Sequence, residues 1–243
     1  MGPVCRRVRL DFVPSNLTSP QDGTMLTLTH GTSAEFTAAL ARPGVLKPGG
    51  QFATFTLAGE FERSREDGTS IRTVFYQPCV AAGRLAGRLG TLGAGEAISG
   101  TGVLAAYEGE IVIVVQDAAR LPSEHVRLEL DGGGAARLLR ARWRVRARGV
   151  LITPPQAQRL ENEVPVTNIR LGLTPKRAEG TETQLVPLEL AAYGELAVVL
   201  AGQGKGNYLD TWGVLQRRQG AQRRFSRLEV QDVEPLHGTR ALL

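Results

Sequence analysis

Between residues 140 and 148 the chain reads Arg140-Ala141-Arg142-Trp143-Arg144-Val145-Arg146-Ala147-Arg148. Every second residue is arginine, and every residue between is apolar. A β-strand sends alternate side chains to opposite faces, so this spacing makes one basic face and one apolar face. A helix would scatter the same arginines around its circumference. The stretch therefore reads as a strand with Trp143 turned toward the core. The face of Arg142, Arg144, Arg146 and Arg148 makes a basic stripe that suits a polyanion, solvent or an ion-paired dimer contact. Around this strand the 243 residues include 29 glycines and 13 prolines, and apolar runs such as residues 111–115 are short. That pattern fits short strands joined by turns.

Further strand signals surround it in an order that occurs twice. In the first half they cover residues 25–29, 36–40, 52–57 and 73–80, with a turn at 65–68. A short helix over 83–89 follows, then a hairpin of 103–106 and 111–115 closed at Glu108-Gly109. In the second half the arginine strand is followed by 166–171, a turn at 178–180, 184–190 and a helix from Glu195 to Leu200. The closing hairpin pairs 211–216 with 225–230 around Gln219-Gly220. Ala82-Gly83-Arg84-Leu85-Ala86 and Tyr193-Gly194-Glu195-Leu196-Ala197 lie about 111 residues apart. A period of that length marks a duplicated domain rather than a solenoid.

Five strands with one helix between the third and fourth is the plan of the oligonucleotide/oligosaccharide-binding (OB) barrel. The expected fold is all-β, with two tandem five-stranded OB barrels. The first spans 25–130 and the second 136–236, joined by a Gly-rich linker over 131–135. Residues 1–24 read as a weakly structured extension and 237–243 as a short tail.

Charge points to a class of partner. Lys+Arg number 29 against 24 Asp+Glu, and only Lys47, Lys176 and Lys205 are lysines. Residues 1–135 hold 12 basic and 14 acidic residues, and residues 136–243 hold 17 and 10. A basic half favours a polyanion. Catalysis finds no support. Gly202-Gln203-Gly204-Lys205-Gly206 lacks the gap and the Ser/Thr of a phosphate loop. His30, His125 and His237 are isolated, and Cys5 and Cys79 have no metal-ligand spacing. No enzyme activity, metal or cofactor is expected. No apolar run approaches the ~20 residues of a membrane span. The expected compartment is the cytoplasm, in association with the nucleoid.

The ordered residues also resemble a family. Residues 51–58 (Gln-Phe-Ala-Thr-Phe-Thr-Leu-Ala) look like the second strand of bacterial single-stranded DNA-binding proteins. Arg63, Asp67-Gly68, Arg72-Thr73, Tyr76, Val80 and Gly83-Arg84-Leu85-Ala86 resemble the family's third strand and helix. In the second half, Val145 and Gly149-Val150-Leu151 resemble the first strand, and residues 166–171 the second. Ala192-Tyr193-Gly194-Glu195-Leu196-Ala197 resembles the helix signature. Gly213-Val214-Leu215, Leu228-Glu229-Val230 and Val233-Glu234-Pro235-Leu236 resemble the last two strands. The resemblance covers about residues 33–236. It implies sequence-independent binding and protection of single-stranded DNA in replication, repair or recombination. It also implies a homodimer that reaches four OB folds.

Such binders combine phosphate-neutralising bases with aromatic stacking platforms. The candidate contacts in the first barrel are Phe61, Arg63, Arg65, Tyr76 and Arg84. In the second they are Arg144, Arg146, Lys176, Arg177, Tyr193, Trp212, Arg217, Arg218, Arg223, Arg224 and Phe225. Phe36, Phe52 and Phe55 sit in apolar strand patterns and read as core. The pairs Glu60/Glu62 and Asp232/Glu234 read as solvent-facing. Tyr76 falls at a stacking position where the second barrel has Pro187, and Tyr193 falls at another where the first has Ala82. The sequence stops at residues 237–243 without the family's acidic tip, so recruitment of repair proteins through such a tip is not expected. Two other readings fit the same residues. One is a primosome-type interaction module that binds nucleic acid weakly, and the other is an RNA-binding OB protein.

Overall fold

The computed structural model describes residues 16–18, 25–64, 70–160, 163–176, 184–219 and 224–236. Its strands are β1 (Asn16–Thr18), β2 (Met25–Leu28), β3 (Thr32–Leu40), β4 (Val45–Leu46), β5 (Phe52–Ser64), β6 (Ser70–Ala82), β7 (Ala97–Tyr107) and β8 (Glu110–Arg120). There follow β9 (Leu128–Leu130), β10 (Ala136–Leu138), β11 (Arg142–Leu151), β12 (Gln156–Arg159), β13 (Pro165–Leu173), β14 (Val186–Tyr193), β15 (Tyr208–Gln219) and β16 (Arg224–Leu236). Helix α1 spans Arg84–Leu89 and helix α2 spans Gly194–Ala201.

Two rings of five strands close. β3, β5, β6, β8 and β7 form the first, because β3 pairs with both β5 and β7. β11, β13, β14, β16 and β15 form the second in the same way. In each ring the third and fifth barrel strands run parallel (β6–β8 and β14–β16), and the other joints are antiparallel. Each helix lies between the third and fourth barrel strands. The chain is thus the expected pair of tandem OB barrels.

The repeat extends to backbone detail. Gly83 and Gly194, where the helices begin, have φ of 59° and 60°. That left-handed region costs a side chain energy and costs glycine little. Gly102 and Gly213 each sit at a register shift on the fourth barrel strand. A Cβ on them would lie 2.5 Å from the Val114 carbonyl oxygen and 2.0 Å from that of Glu229. Both pairs of glycines are separated by the ~111-residue period of the sequence. The first barrel's last hairpin turns through Glu108 and Gly109 at φ of 51° and 75°, the two positive angles of a type I′ turn.

Some boundaries differ from expectation. β3 starts four residues earlier than its apolar run, because β11 pairs with Thr32–Thr37 and β7 joins from Ala34 onward. Arg140 lies in a left-handed turn (φ 57°), so the alternating strand begins at Arg142. Asn16–Thr18, inside the aperiodic first 24 residues, pairs with β2. The Asp131–Gly134 stretch, read from composition as a linker, is a hydrogen-bonded turn between β9 and β10. Asp131 Oδ1 accepts from the Gly133 and Ala135 amides at 2.8 and 2.9 Å. The turns at 65–68, at 178–180 and at Gly220, and the 237–243 tail, lie outside the described residues.

What joins the barrels is a strand pair. Thr32–Thr37 of β3 run antiparallel to Arg142–Ala147 of β11. One sheet therefore continues from the first barrel into the second. On its apolar side Trp143, 6% exposed, stacks on Phe75 of the first barrel at 4.3 Å and lies 6.1 Å from Phe36. Its Nε1 donates to the Leu215 carbonyl at 3.0 Å, on the second barrel. A single apolar cluster runs through both barrels around these rings. Further ties reinforce the joint. Ser226 Oγ and Gln77 Nε2, from opposite barrels, both donate to the Ile111 carbonyl at 3.1 Å. The Lys176 amide donates to the Leu28 carbonyl at 2.7 Å.

Truncating a core tryptophan leaves a cavity that its neighbours fill only in part. Trp143→Ala is expected to cost about 4 kcal/mol. Denaturant unfolding followed by circular dichroism should show one transition, shifted to lower concentration. Two separated transitions would show that the barrels unfold independently.

Candidate nucleic-acid interface

In an OB barrel the outward face of strands two and three, flanked by the loops joining strands one to two and four to five, takes up oligomers. In the first barrel that face belongs to β5 and β6. Opposed residues on antiparallel strands point the same way. The register therefore puts Thr54 with Val80, Thr56 with Pro78, Ala58 with Tyr76 and Glu60 with Val74. At one end of this face lies a cleft of about 450 Å³, lined among others by Arg42, Lys47, Thr54, Thr56, Tyr107 and Arg217. Arg42 and Lys47 come from the loop between β3 and β5, and Tyr107 from the last position of β7. Arg217 comes from the closing hairpin of the other barrel, which reaches across.

The chemistry of the cleft is mixed. Val80, Tyr107 and Val112 belong to a second apolar cluster that also contains Leu26, Leu28 and Phe52. Above that floor stand threonine hydroxyls, three basic side chains, and Glu108 and Glu110. Cys79 also lines the cleft but is buried and donates to the Gln77 carbonyl. Burial pushes its thiol well above the ordinary range, so it stays protonated and inert.

Farther along the same face the surface is occupied from within. Tyr76 packs on Ala41, Ala58 and Ala135, and its hydroxyl donates to Asp131 Oδ2 at 2.7 Å. Burial first, and the bond to Asp131 second, raise the Tyr76 pKa. Glu60 is buried rather than solvent-facing, 3.5 Å from Arg72 and 3.6 Å from Arg137. Its strand partner Glu62 is exposed. Phe61 is half-buried and leans on Phe75 at 6.1 Å. Tyr76 and Phe61 thus serve internal contacts.

The arginine stripe of β11 divides in two. Arg146 grips Asp210 side-on, with Nε 2.8 Å from Oδ1 and Nη2 2.5 Å from Oδ2. Arg148 places Nε and Nη2 on Oδ2 at 3.0 and 2.7 Å. Asp210 is 0% exposed. Burial pushes its carboxyl up, but the hydrogen bonds and charges of Arg146 and Arg148 outweigh burial and hold it below the ordinary carboxylate range. Arg146 also stacks over Trp212 at 4.9 Å, a cation–π contact. Arg144 stays exposed beside it, at a small recess shared with Ser33 and Glu35. Arg146 and Arg148 are thus ion-paired within the chain rather than across a dimer contact, and Arg142 and Arg144 face solvent.

The remaining candidates scatter. Arg84 is exposed at the start of α1, and Tyr193 is half-buried where α2 begins. Lys176 is half-buried. On the second barrel's own β13–β14 face, Arg170 pairs with Glu189 at 2.6 Å and Arg227 donates to Asn168 at 2.5 Å. In the closing hairpin Arg217 is paired with Glu110, Arg218 is exposed, and Phe225 opposite it is half-buried. Arg65, Arg177 and Arg223, and the side chains of Arg63 and Arg224, lie outside the described residues. Sequence reasoning missed Arg42 and Lys47. The signal was present: both stand beside Pro/Gly turns between the first two strands of a barrel. Among the described residues no cluster of His, Cys, Asp and Glu can hold a metal, and no helix is long and apolar enough to cross a membrane.

Removing one partner of a buried ion pair leaves the other charges uncompensated. Asp210→Asn is expected to cost about 3 kcal/mol, read from thermal melts at neutral pH. Because the folded pKa lies below the unfolded value, this contribution is complete above about pH 4 and fades as pH falls through the folded value. The gap between the two proteins should therefore narrow on acidification. A constant gap would remove Asp210 as its source.

No family model matches the chain, and no curated protein does. Solved structures do match. A deletion mutant of the single-stranded DNA binding protein from Thermus aquaticus superposes with a TM-score of 0.66 at 21% identity, over 88% of this chain and 98% of that one. The wild-type protein gives 0.65 at 20% identity, over 87% and 96%. The chain shares the complete two-barrel fold of that protein.

Proposed function

We propose that this chain binds single-stranded DNA without sequence preference and without catalysing a reaction. The observation that carries this reading is the cleft on the first barrel. It lies where OB barrels take up oligomers and joins three basic side chains to an apolar floor. The fold is shared with a protein named for single-stranded DNA binding. In the cell the chain would coat exposed strands during replication, repair or recombination. It would work as a homodimer, in association with the nucleoid. A strand would enter at Arg42 and Lys47, cross the threonines of β5 and leave along the hairpin of Arg217 and Arg218. The internal engagement of Tyr76 and Phe61 favours a second reading, an assembly module whose grip on nucleic acid is weak.

Titration of labelled oligo-dT and a matched duplex at several salt concentrations tests the first reading. Single-strand binding should weaken with salt by about 0.7 log units per log unit for each phosphate neutralised. Replacing Arg42, Lys47 and Arg218 together by Ala should flatten that slope by about two and weaken every sequence alike. Weak binding to both polymers would favour the assembly module.

A further inference from the structure

The arginines of the second barrel hold their carboxylates in two different ways. Arg146 and Arg148 each engage a carboxylate through Nε and Nη2 together. Arg217 presents only Nη2, which lies 2.6 Å from both Oε1 and Oε2 of Glu110. Its Nε is buried with no hydrogen-bond partner among the described residues. A buried donor left unpaired is a standing cost, and a guanidinium is built to bind an oxyanion with two parallel N–H groups. The Glu110 pair is therefore an incomplete match. It forms between barrels, at the mouth of the cleft that also holds Arg42 and Lys47. Both side chains keep part of their surface in water, at 28% for Arg217 and 29% for Glu110.

We propose that Glu110 is an internal competitor for the phosphate site of the first barrel, and that Arg217 is handed from Glu110 to a backbone phosphate when a strand enters the cleft. This rests on the single-strand reading above and adds to it how access to the site is regulated. A phosphate side-on to Arg217 satisfies Nε and Nη2 at once, which Glu110 does not. Glu110, released, turns to solvent beside Glu108. A single weak anion cannot displace a carboxylate held in place by the fold. A strand that also engages Arg42 and Lys47 can, so the device favours polymers over free anions.

Four proteins decide the matter: wild type, Glu110→Gln, Arg217→Ala and the double variant, titrated with oligo-dT over a salt series. Glu110→Gln is expected to bind about fivefold tighter across the salt series, because no carboxylate then competes with the phosphate for Arg217. Arg217→Ala should bind more weakly than wild type. In the double variant the gain should vanish, which separates release of Arg217 from simple removal of a negative charge. Glu110→Asp keeps the charge but withdraws it, and should bind between wild type and Glu110→Gln. It also replaces the amide should that variant not fold by circular dichroism. A Glu110→Gln affinity equal to wild type, or a gain that survives in the double variant, overturns the hand-over while the single-strand reading stands. Absence of oligo-dT binding by all the proteins overturns both.

Discussion

The pairing of β3 with β11 is the constraint on which the rest of the molecule depends. It turns two barrels into one sheet and sets Trp143 between them, stacked on a ring of the first and hydrogen-bonded to a carbonyl of the second. With the barrels fixed in this way, the closing hairpin of the second must lie against the last hairpin of the first. Arg217 meets Glu110 and Ser226 meets Ile111 as a result. The cleft is built by the first barrel, and the second barrel adds Arg217 to its lining.

The duplicated halves have come to do different work. The first carries the loop bases and the cleft. The second carries most of the positive charge, yet it neutralises much of that charge itself. Asp210 takes two arginines, Glu189 takes Arg170, and Glu110 of the first barrel takes Arg217. Net charge overstates what such a surface offers a polyanion, because a guanidinium already held side-on by a carboxylate has that edge occupied and its charge offset. Arg217, whose Nε has no partner among the described residues, differs from Arg146, whose Nε and Nη2 are both bonded.

Period two was legible in the sequence because pleating is a local property. The arginine strand, the hairpin at Glu108-Gly109 and the glycines at the helix starts were all visible for that reason. Pairing across long separations was not. Asp210 lies 64 residues from Arg146, and Glu110 lies 107 from Arg217. Nothing in the local pattern announces either meeting; the register of β11 on β15 and the docking of the hairpins produce them. The burial of Glu60 was hidden in the same way, since Arg137 arrives from the β9–β10 hairpin. The run Asp131-Gly132-Gly133-Gly134 looked like a linker because glycine permits freedom. The Asp131 carboxylate, by collecting two amides and a tyrosine hydroxyl, removes it.

That closed turn has a consequence for any long ligand. Beads on a slack tether can swivel to follow a polymer, so the polymer keeps its own curvature. Here the segment between the barrels is a fastened corner, and the barrels share a sheet, so the protein supplies a template of set curvature. A chain that visits both barrels must itself do the bending. A flexible polymer accepts that curvature at small expense, whereas a stacked, stiff one resists it. On the single-strand reading, the shape of the scaffold would favour polymers that bend easily, before any contact with a base.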